Sequence, residues 1–244
     1  SKLMKIFKKF FAAFMMLGLS FSFSAQSFAQ SFLGMEYDFI VTNPAGVAAA
    51  LDKYMASPTG RNNPGYPILN QYVVNGENPS THNIVTIFSS VEDMDKSNAA
   101  NAVSQDWATF LTELAAVASP AGELLYLAPG ISVGDQSIIA SPNYVSQWLM
   151  MEVTDSEKYV DAWMELAEEY QSDKVLSQLI TISADGDRGA THNLIISARN
   201  MTDLLTDPLN TSSGFSRFNS KVANIRTVIS RNIVTQVKNY APAM

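Results

Sequence analysis

The 244 residues predict an α+β fold made of two tandem copies of one β-α-β-β-α-β unit. Three observations carry that reading. The only two histidines, His82 and His192, both sit inside the tripeptide Thr-His-Asn, in NPSTHNIVTIFSS (78–90) and RGATHNLIISARN (188–200). Aligning these sites at an offset of 110 residues also sets Gly76 on Gly186 and Asp93 on Asp203 without a gap. The same succession of strand-like and helix-like segments then surrounds each site.

The elements follow in order. MEYDFIVTN (35–43) and QWLMMEVTD (147–155) are β-rich runs ending in an Asn or Asp able to cap a helix. PAGVAAALDKYMAS and SEKYVDAWMELAEEYQS have helical composition, and Tyr159, Trp163, Leu166 and Tyr170 recur three or four apart along one face. YPILNQYVVNG and KVLSQLITISADG read as second strands, each ending in a dipeptide suited to the positive φ of a tight hairpin. Third strands begin at Thr-His-Asn. Polar connections lead to second helical faces at Trp107, Phe110, Leu111 and Leu114, and at Phe218, Val222, Ile225 and Ile229. ELLYLAPGI and NIVTQVKNYA close the copies as short strands. This order is that of the ferredoxin-like unit, a four-stranded antiparallel sheet with two helices on one face.

A lone unit would leave its second sheet face wet, and alternate residues of its strands would be polar. The third strands show no such row: His82, Ile84, Thr86 and Phe88 form one face and Asn83, Val85 and Ile87 the other. Both faces are therefore expected to be buried, most economically by packing the two copies together as a pseudo-twofold α+β barrel. The expected organisation is an export signal at 1–29, a first repeat at 30–131, a linker at 132–145 and a second repeat at 146–244.

In element order and duplication, residues 35–241 resemble the dimeric α+β barrel superfamily. It includes antibiotic-biosynthesis monooxygenase-like proteins, stress-responsive A/B-barrel proteins and chlorite dismutase-like haem proteins. The resemblance implies the fold, and for function it implies a cofactor-independent oxygenase or isomerase-like enzyme using His82 or His192 as general base. Haem-binding relatives use a histidine on a helix, whereas both histidines here fall on predicted strands, so no cofactor is expected.

Composition narrows the function classes. A 47% hydrophobic, 16% charged chain belongs to a globular protein with a substantial core. The basic start MKIFKKFF, the apolar AAFMMLGLSFSF and the small-residue site in SFAQ have the layout of a secretory signal cleaved after Ala29, implying a periplasmic or secreted protein. Cleavage removes four lysines and no acid, taking the formal charge from −7 to −11. Such a surface repels nucleic acid and anionic lipid, so neither nucleic acid nor, after cleavage, a membrane is an expected partner. The absence of cysteine excludes disulfides and thiolate metal sites.

The candidate residues follow from side-chain chemistry. A neutral imidazole can act as a base near pH 7, which makes His82 and His192 the candidate catalytic groups. Asn83 and Asn193 could orient a ligand carbonyl or oxyanion, although adjacent strand residues point to opposite faces and cannot share one pocket with their histidines. Trp148 and Met150 are candidates for the wall of a ligand cavity. Two histidines with Glu36 or Glu152 fall short of a metal site, because those acids are not equivalent in the two copies. The Asp-Gly-Asp at 185–187 is a hairpin turn, since position 196, where a calcium loop carries a glutamate, is Ile. The leading expectation is an exported binder of an apolar or amphipathic small molecule. The alternatives are the monooxygenase-like enzyme and a structural protein that forms homo-oligomers through sheet edges.

Overall fold

The computed structural model describes residues 33–170 and 172–242. The export signal expected at 1–29 lies outside the described residues. The first half runs β1 (Leu33–Val41), α1 (Pro44–Ala56), the single turn α2 (Pro58–Arg61), β2 (Tyr66–Val74), β3 (His82–Phe88), α3 (Val91–Ala102), α4 (Gln105–Ala115) and β4 (Ala118–Gly134). A 3-10 turn at Gln136–Ala140 leads to β5 (Val145–Val153), α5 (Ser156–Glu169), β6 (Val175–Ala184), β7 (His192–Ala198), the short α6 (Met201–Thr206) and α7 (Pro208–Thr211), α8 (Ser213–Val222) and β8 (Arg226–Asn239).

Local chemistry sets these boundaries. Asn43 and Asp155 cap α1 and α5, accepting from the backbone N–H of Gly46 and Lys158 at 3.1 Å each. Gly76 and Gly186 take the positive φ of their hairpins, at 58° and 73°. Four expectations need correction. The polar connections after β3 and β7 contain helices, α3 and α6, capped by Ser90 and Asn200. The helical face expected to run through Ile229 stops at Val222, because β8 begins at Arg226 and pairs with β5. Leu111, expected on the buried face of α4, is 46% exposed. β4 is also longer than ELLYLAPGI, continuing to Gly134 beside β6.

The strands close into one antiparallel barrel in the order β1-β3-β2-β8-β5-β7-β6-β4. The two halves therefore join edge to edge, through β2–β8 and β4–β6. Among the described residues every strand is paired on both sides, so the barrel they form has no free sheet edge. Antiparallel neighbours alternate in direction around the ring, so β1, β2, β5 and β6 point one way. The hairpins 75–81 and 185–191 and the starts of α1 and α5 consequently share one end of the barrel.

Alternation along each strand divides the molecule into three layers. Outside β1–β3, Val47, Leu51 and Tyr54 of α1 and Phe110 and Leu114 of α4 pack on Leu69 and Ile84. Outside the second half, Tyr159, Trp163 and Leu166 of α5 and Phe218 and Val222 of α8 pack on Met151, Leu194 and Ile196. The third layer is the barrel interior, where Leu124, Tyr126, Met150, Ile180 and Ile182 form one apolar group and Val85, Trp148 and Val234 another. Both faces of β3 and β7 are thereby buried.

Candidate active site

The recurring tripeptide divides its labour among these layers. Where the β1–β3 ladder ends at Phe39 and His82, the Thr81 N–H donates to the Phe39 carbonyl at 2.9 Å, and the Thr81 hydroxyl accepts from the Val41 N–H at 2.9 Å. In the second half, Thr191 N–H donates to the Met151 carbonyl at 2.9 Å and its hydroxyl accepts from Val153 N–H at 2.8 Å. Each threonine thus extends its ladder by one side-chain rung. The histidines point to the helix side. His82 Nδ1 lies 2.9 Å from the Thr81 hydroxyl and His192 Nδ1 2.8 Å from that of Thr191, while His192 Nε2 meets Ser156 Oγ at 3.1 Å. Burial pushes both imidazoles below their ordinary value, so they stay neutral near pH 7. Each sits beneath its own helices, and the two do not share a pocket.

Asn83 and Asn193 point the other way, into the barrel at its hairpin end, beside a polar cluster. Glu36 and Asp38, two apart on β1, face inward together and are 1% and 2% exposed. The Tyr126 hydroxyl of β4 donates to Glu36 Oε2, and the Tyr72 hydroxyl of β2 donates to Asp38 Oδ1 at 2.6 Å. Tyr72 also lies 3.4 Å from Glu36 Oε1 and so touches both acids. Asn83 Nδ2 donates to the Tyr72 oxygen at 3.2 Å, and Asn70 Nδ2 donates to Asn83 Oδ1 at 2.9 Å. From the second half, Asn193 Nδ2 approaches the Tyr126 oxygen at 3.4 Å.

One cation reaches this group. Arg188, on the hairpin 185–191, places Nη2 3.5 Å from Asp38 Oδ2 and remains partly exposed at the barrel mouth. Gly122 stands opposite Asp38 on β4, and a Cβ there would collide with the Arg188 guanidinium, so the glycine keeps that approach open.

Burial and the neighbouring charge of Asp38 push the Glu36 carboxyl well above the usual carboxylate range, against the donated hydrogen bond from Tyr126. Burial beside Glu36 raises the Tyr126 phenol, and burial beside both acids raises that of Tyr72. The site is therefore a proton-holding carboxyl inside a hydrogen-bonded chain, with a second carboxylate ion-paired at the mouth. A carboxyl raised in this way can exchange a proton with a group inside the barrel, which neither imidazole is placed to do.

Of the residues expected from sequence, the structure brings Asn83 and Asn193 into this cluster. Met150 belongs to the apolar group containing Tyr126, and Trp148 to the one containing Val85 and Val234. Sequence reasoning missed Asp38, Tyr72, Tyr126 and Arg188, and weighed Glu36 only as a metal ligand. Among the described residues no group of three or more His, Asp or Glu converges to hold a metal ion. Haem held by a helix histidine does not fit either, since both imidazoles are on strands and already engaged by hydroxyls.

No family model and no curated sequence matches the chain. Solved structures do share its fold. A protein provisionally named a monooxygenase, from Fusobacterium nucleatum subsp. nucleatum, superposes with a TM-score of 0.59 at 13% identity, over 86% of this chain and 94% of that one. An anthrone oxidase-like protein gives 0.56 at 10% identity, over 88% and 94%. Another protein provisionally named a monooxygenase, from Lactobacillus acidophilus, gives 0.53 at 12% identity, over 85% and 93%. These neighbours correct the expectation of a binder of an apolar or amphipathic ligand in favour of the monooxygenase-like alternative, because their names are those of monooxygenases and an oxidase-like protein. At such identities the likeness is one of architecture, and this chain has the fold of the dimeric α+β barrels.

Proposed function

We propose that the chain is an enzyme of the oxygenase class that begins by taking a proton from an acidic carbon or hydroxyl of a small organic substrate. The observation that carries this is the Glu36–Asp38 pair, buried inside the barrel and hydrogen-bonded there by two tyrosines. Burying carboxyls is costly, and a carboxyl tuned toward neutrality beside a fixed hydrogen-bond chain is what acid–base chemistry requires. The fold neighbours named as monooxygenases and an anthrone oxidase-like protein support the class.

In this reading Glu36, in its ionised form, accepts the proton, and Tyr126 and Tyr72 hydrogen-bond the acids as charge redistributes. The resulting carbanion reacts with dioxygen to give a peroxide anion, which takes the proton back from Glu36 as the hydroperoxide and then loses water to leave the carbonyl. For anthrone, one dioxygen is consumed and one water released as the methylene becomes a carbonyl, so no external reductant enters the balance. The substrate reaches the pair from the hairpin end, where Arg188 links Asp38 to the surface.

The same proposal takes the chain as two ferredoxin-like copies, 30–131 and 146–244, joined by 132–145 behind an export signal at 1–29. The matching threonine rungs and the matching strand order of the halves support it.

The test is oxygen uptake by the full chain with anthrone as probe, corrected for the buffer rate. Glu36→Gln should lower uptake by about 10²–10⁴-fold, the usual worth of a positioned base, while His82→Asn and His192→Asn stay within about tenfold of wild type. Uptake no faster than buffer would sink the oxygenase reading. Loss in His192→Asn with activity kept in Glu36→Gln would move the base to the helix layer, where Ser156 engages His192.

A further inference from the structure

The two inward asparagines occupy the same register, opposite Asp38 in one half and Met150 in the other, yet their surroundings differ. Asn83 is satisfied at both ends of its amide, by Asn70 and by Tyr72. Asn193 has Ile180 where Asn83 has Asn70, as the pairings of β6 and β2 show. Its Nδ2 reaches only Tyr126, and its Oδ1 is buried with no hydrogen-bond partner among the described residues. Turning the amide over would not relieve this while Tyr126 gives its one proton to Glu36. Nδ2 would then be the orphan, and two acceptors would face each other.

A buried acceptor left without a donor destabilises the folded chain, and such atoms in native proteins call for a reason. Among the described residues, the Tyr159 and Ser177 oxygens are the other buried side-chain atoms without a close hydrogen bond, and Tyr159 has the Arg226 guanidinium nearby. Both lie on the helix side of the sheet, whereas Asn193 adjoins the Glu36–Tyr126 pair. Met150 flanks it on β5, and an unbranched thioether side chain repacks readily around an incoming group. Ala190, at the end of the Arg188 hairpin, packs in the same apolar group and bounds it toward the mouth with a single methyl.

We infer that Asn193 Oδ1 is a substrate subsite: it receives an O–H or N–H donor on the ring or carbon framework whose acidic proton goes to Glu36. This deepens the proposed function and rests on it for the role of Glu36. It assigns the substrate class as an apolar, aromatic-sized molecule bearing a hydrogen-bond donor. Molecules of the same shape without the donor would gain nothing at Oδ1 and bind more weakly.

The test compares phenol with toluene, which share size and differ in the donor, binding to the full chain by NMR titration. The quantity read is the ratio of the two dissociation constants, so the general hydrophobicity of the probes cancels between variants. Asn193→Leu should reduce the preference for phenol by about tenfold relative to wild type, in line with the cost of an unpaired buried acceptor. Ile180→Asn supplies from β6 the donor that Asn70 gives Asn83. It should reduce the preference as well while keeping Asn193, which covers the case of Asn193→Leu failing to fold. An unchanged ratio in the folded variants, or no binding of either probe to wild type, overturns the subsite. Loss of preference without anthrone oxidation in wild type keeps the subsite and removes the oxygenase reading. Oxidation dependent on Glu36 with an unchanged ratio does the reverse.

Discussion

The two halves of the barrel place different chemistry at the same addresses. Relative to the inward asparagine, Glu36 stands where the second half has Trp148, and Asp38 where it has Met150. Asn70 is answered by Ile180, and Tyr72 by Ile182. One side of a shared interior thus carries the acids with their hydrogen-bonded partners, and the other is mainly apolar around Asn193, on backbones of the same topology. The difference teaches that the fold does not require the acids. The same addresses are filled by Trp148 and Met150 in the second half, so closing the barrel does not by itself account for the carboxyls in the first.

Moving an acid across the axis is the hardest test of that view. Met150→Asp puts a carboxylate at the address of Asp38, but with Ile180 and Ile182 in place of the polar neighbours. It should destabilise the chain by about 3–5 kcal/mol, the usual cost of an uncompensated buried charge. Asp38→Met should change stability by no more than about 2 kcal/mol, because Arg188 can turn to solvent and Tyr72 still accepts from Asn83. Chemical denaturation of both variants decides it. Equal costs would mean that position, and not partnership, governs tolerance.

The pH dependence of stability sharpens the comparison within the first half. Glu36 has its pKa raised in the folded chain, so above the ordinary value of 4.5 the unfolded chain gives up a proton that the folded chain keeps. Stability from this group therefore falls as pH rises from 4.5 through the raised folded value, by at most about 1.4 kcal/mol per pH unit. The histidines act in the opposite sense. Their depressed values make the unfolded chain bind protons first as pH falls through 6.5, so stability is lost on the acid side. Glu36→Gln minus wild type should isolate the first slope and His192→Asn minus wild type the second. A Glu36 difference that is flat in pH would remove the claim that its proton is held by burial.

A smaller effect probes the amide pair. Asn70→Leu strips Asn83 Oδ1 of its donor and makes the first half resemble the second. The cost should be about 1–3 kcal/mol, and Asp38 should keep its hydrogen bond from Tyr72.

Much of this architecture was legible in residues. The shared Thr-His-Asn sites, the Gly76 and Gly186 hairpins and the capping Asn43 and Asp155 pointed to two like halves, and the absence of a wet face on β3 pointed to a barrel. The acid pair was legible too. Glu36 and Asp38 alternate with Tyr37 and Phe39 on β1, and a sheet without a wet face leaves two same-face acids nowhere to go but inside. Tyr72, Tyr126 and Arg188 were not readable, because their meeting with β1 depends on register across three strands and on a hairpin from the opposite half. The buried face of α4 and the end of α8 differ from the spacing because Leu111, though in phase with Phe110 and Leu114, faces solvent, and because the pairing of β8 takes Ile229 into a strand.

The tripeptide itself offers the finest test of likeness between the halves. Thr81→Val and Thr191→Val keep side-chain shape but remove the acceptor for the N–H of Val41 and of Val153. Each should cost about 1 kcal/mol, and because the two rungs share no partner, the double variant should equal their sum within about 0.5 kcal/mol. Equal costs make Thr a ladder device held in common, while His and Asn serve whichever layer they face. A large cost at Thr191 alone, measured by denaturation, would instead tie that threonine to His192 and Ser156. The helix layer of the second half would then hold an arrangement that the first half lacks.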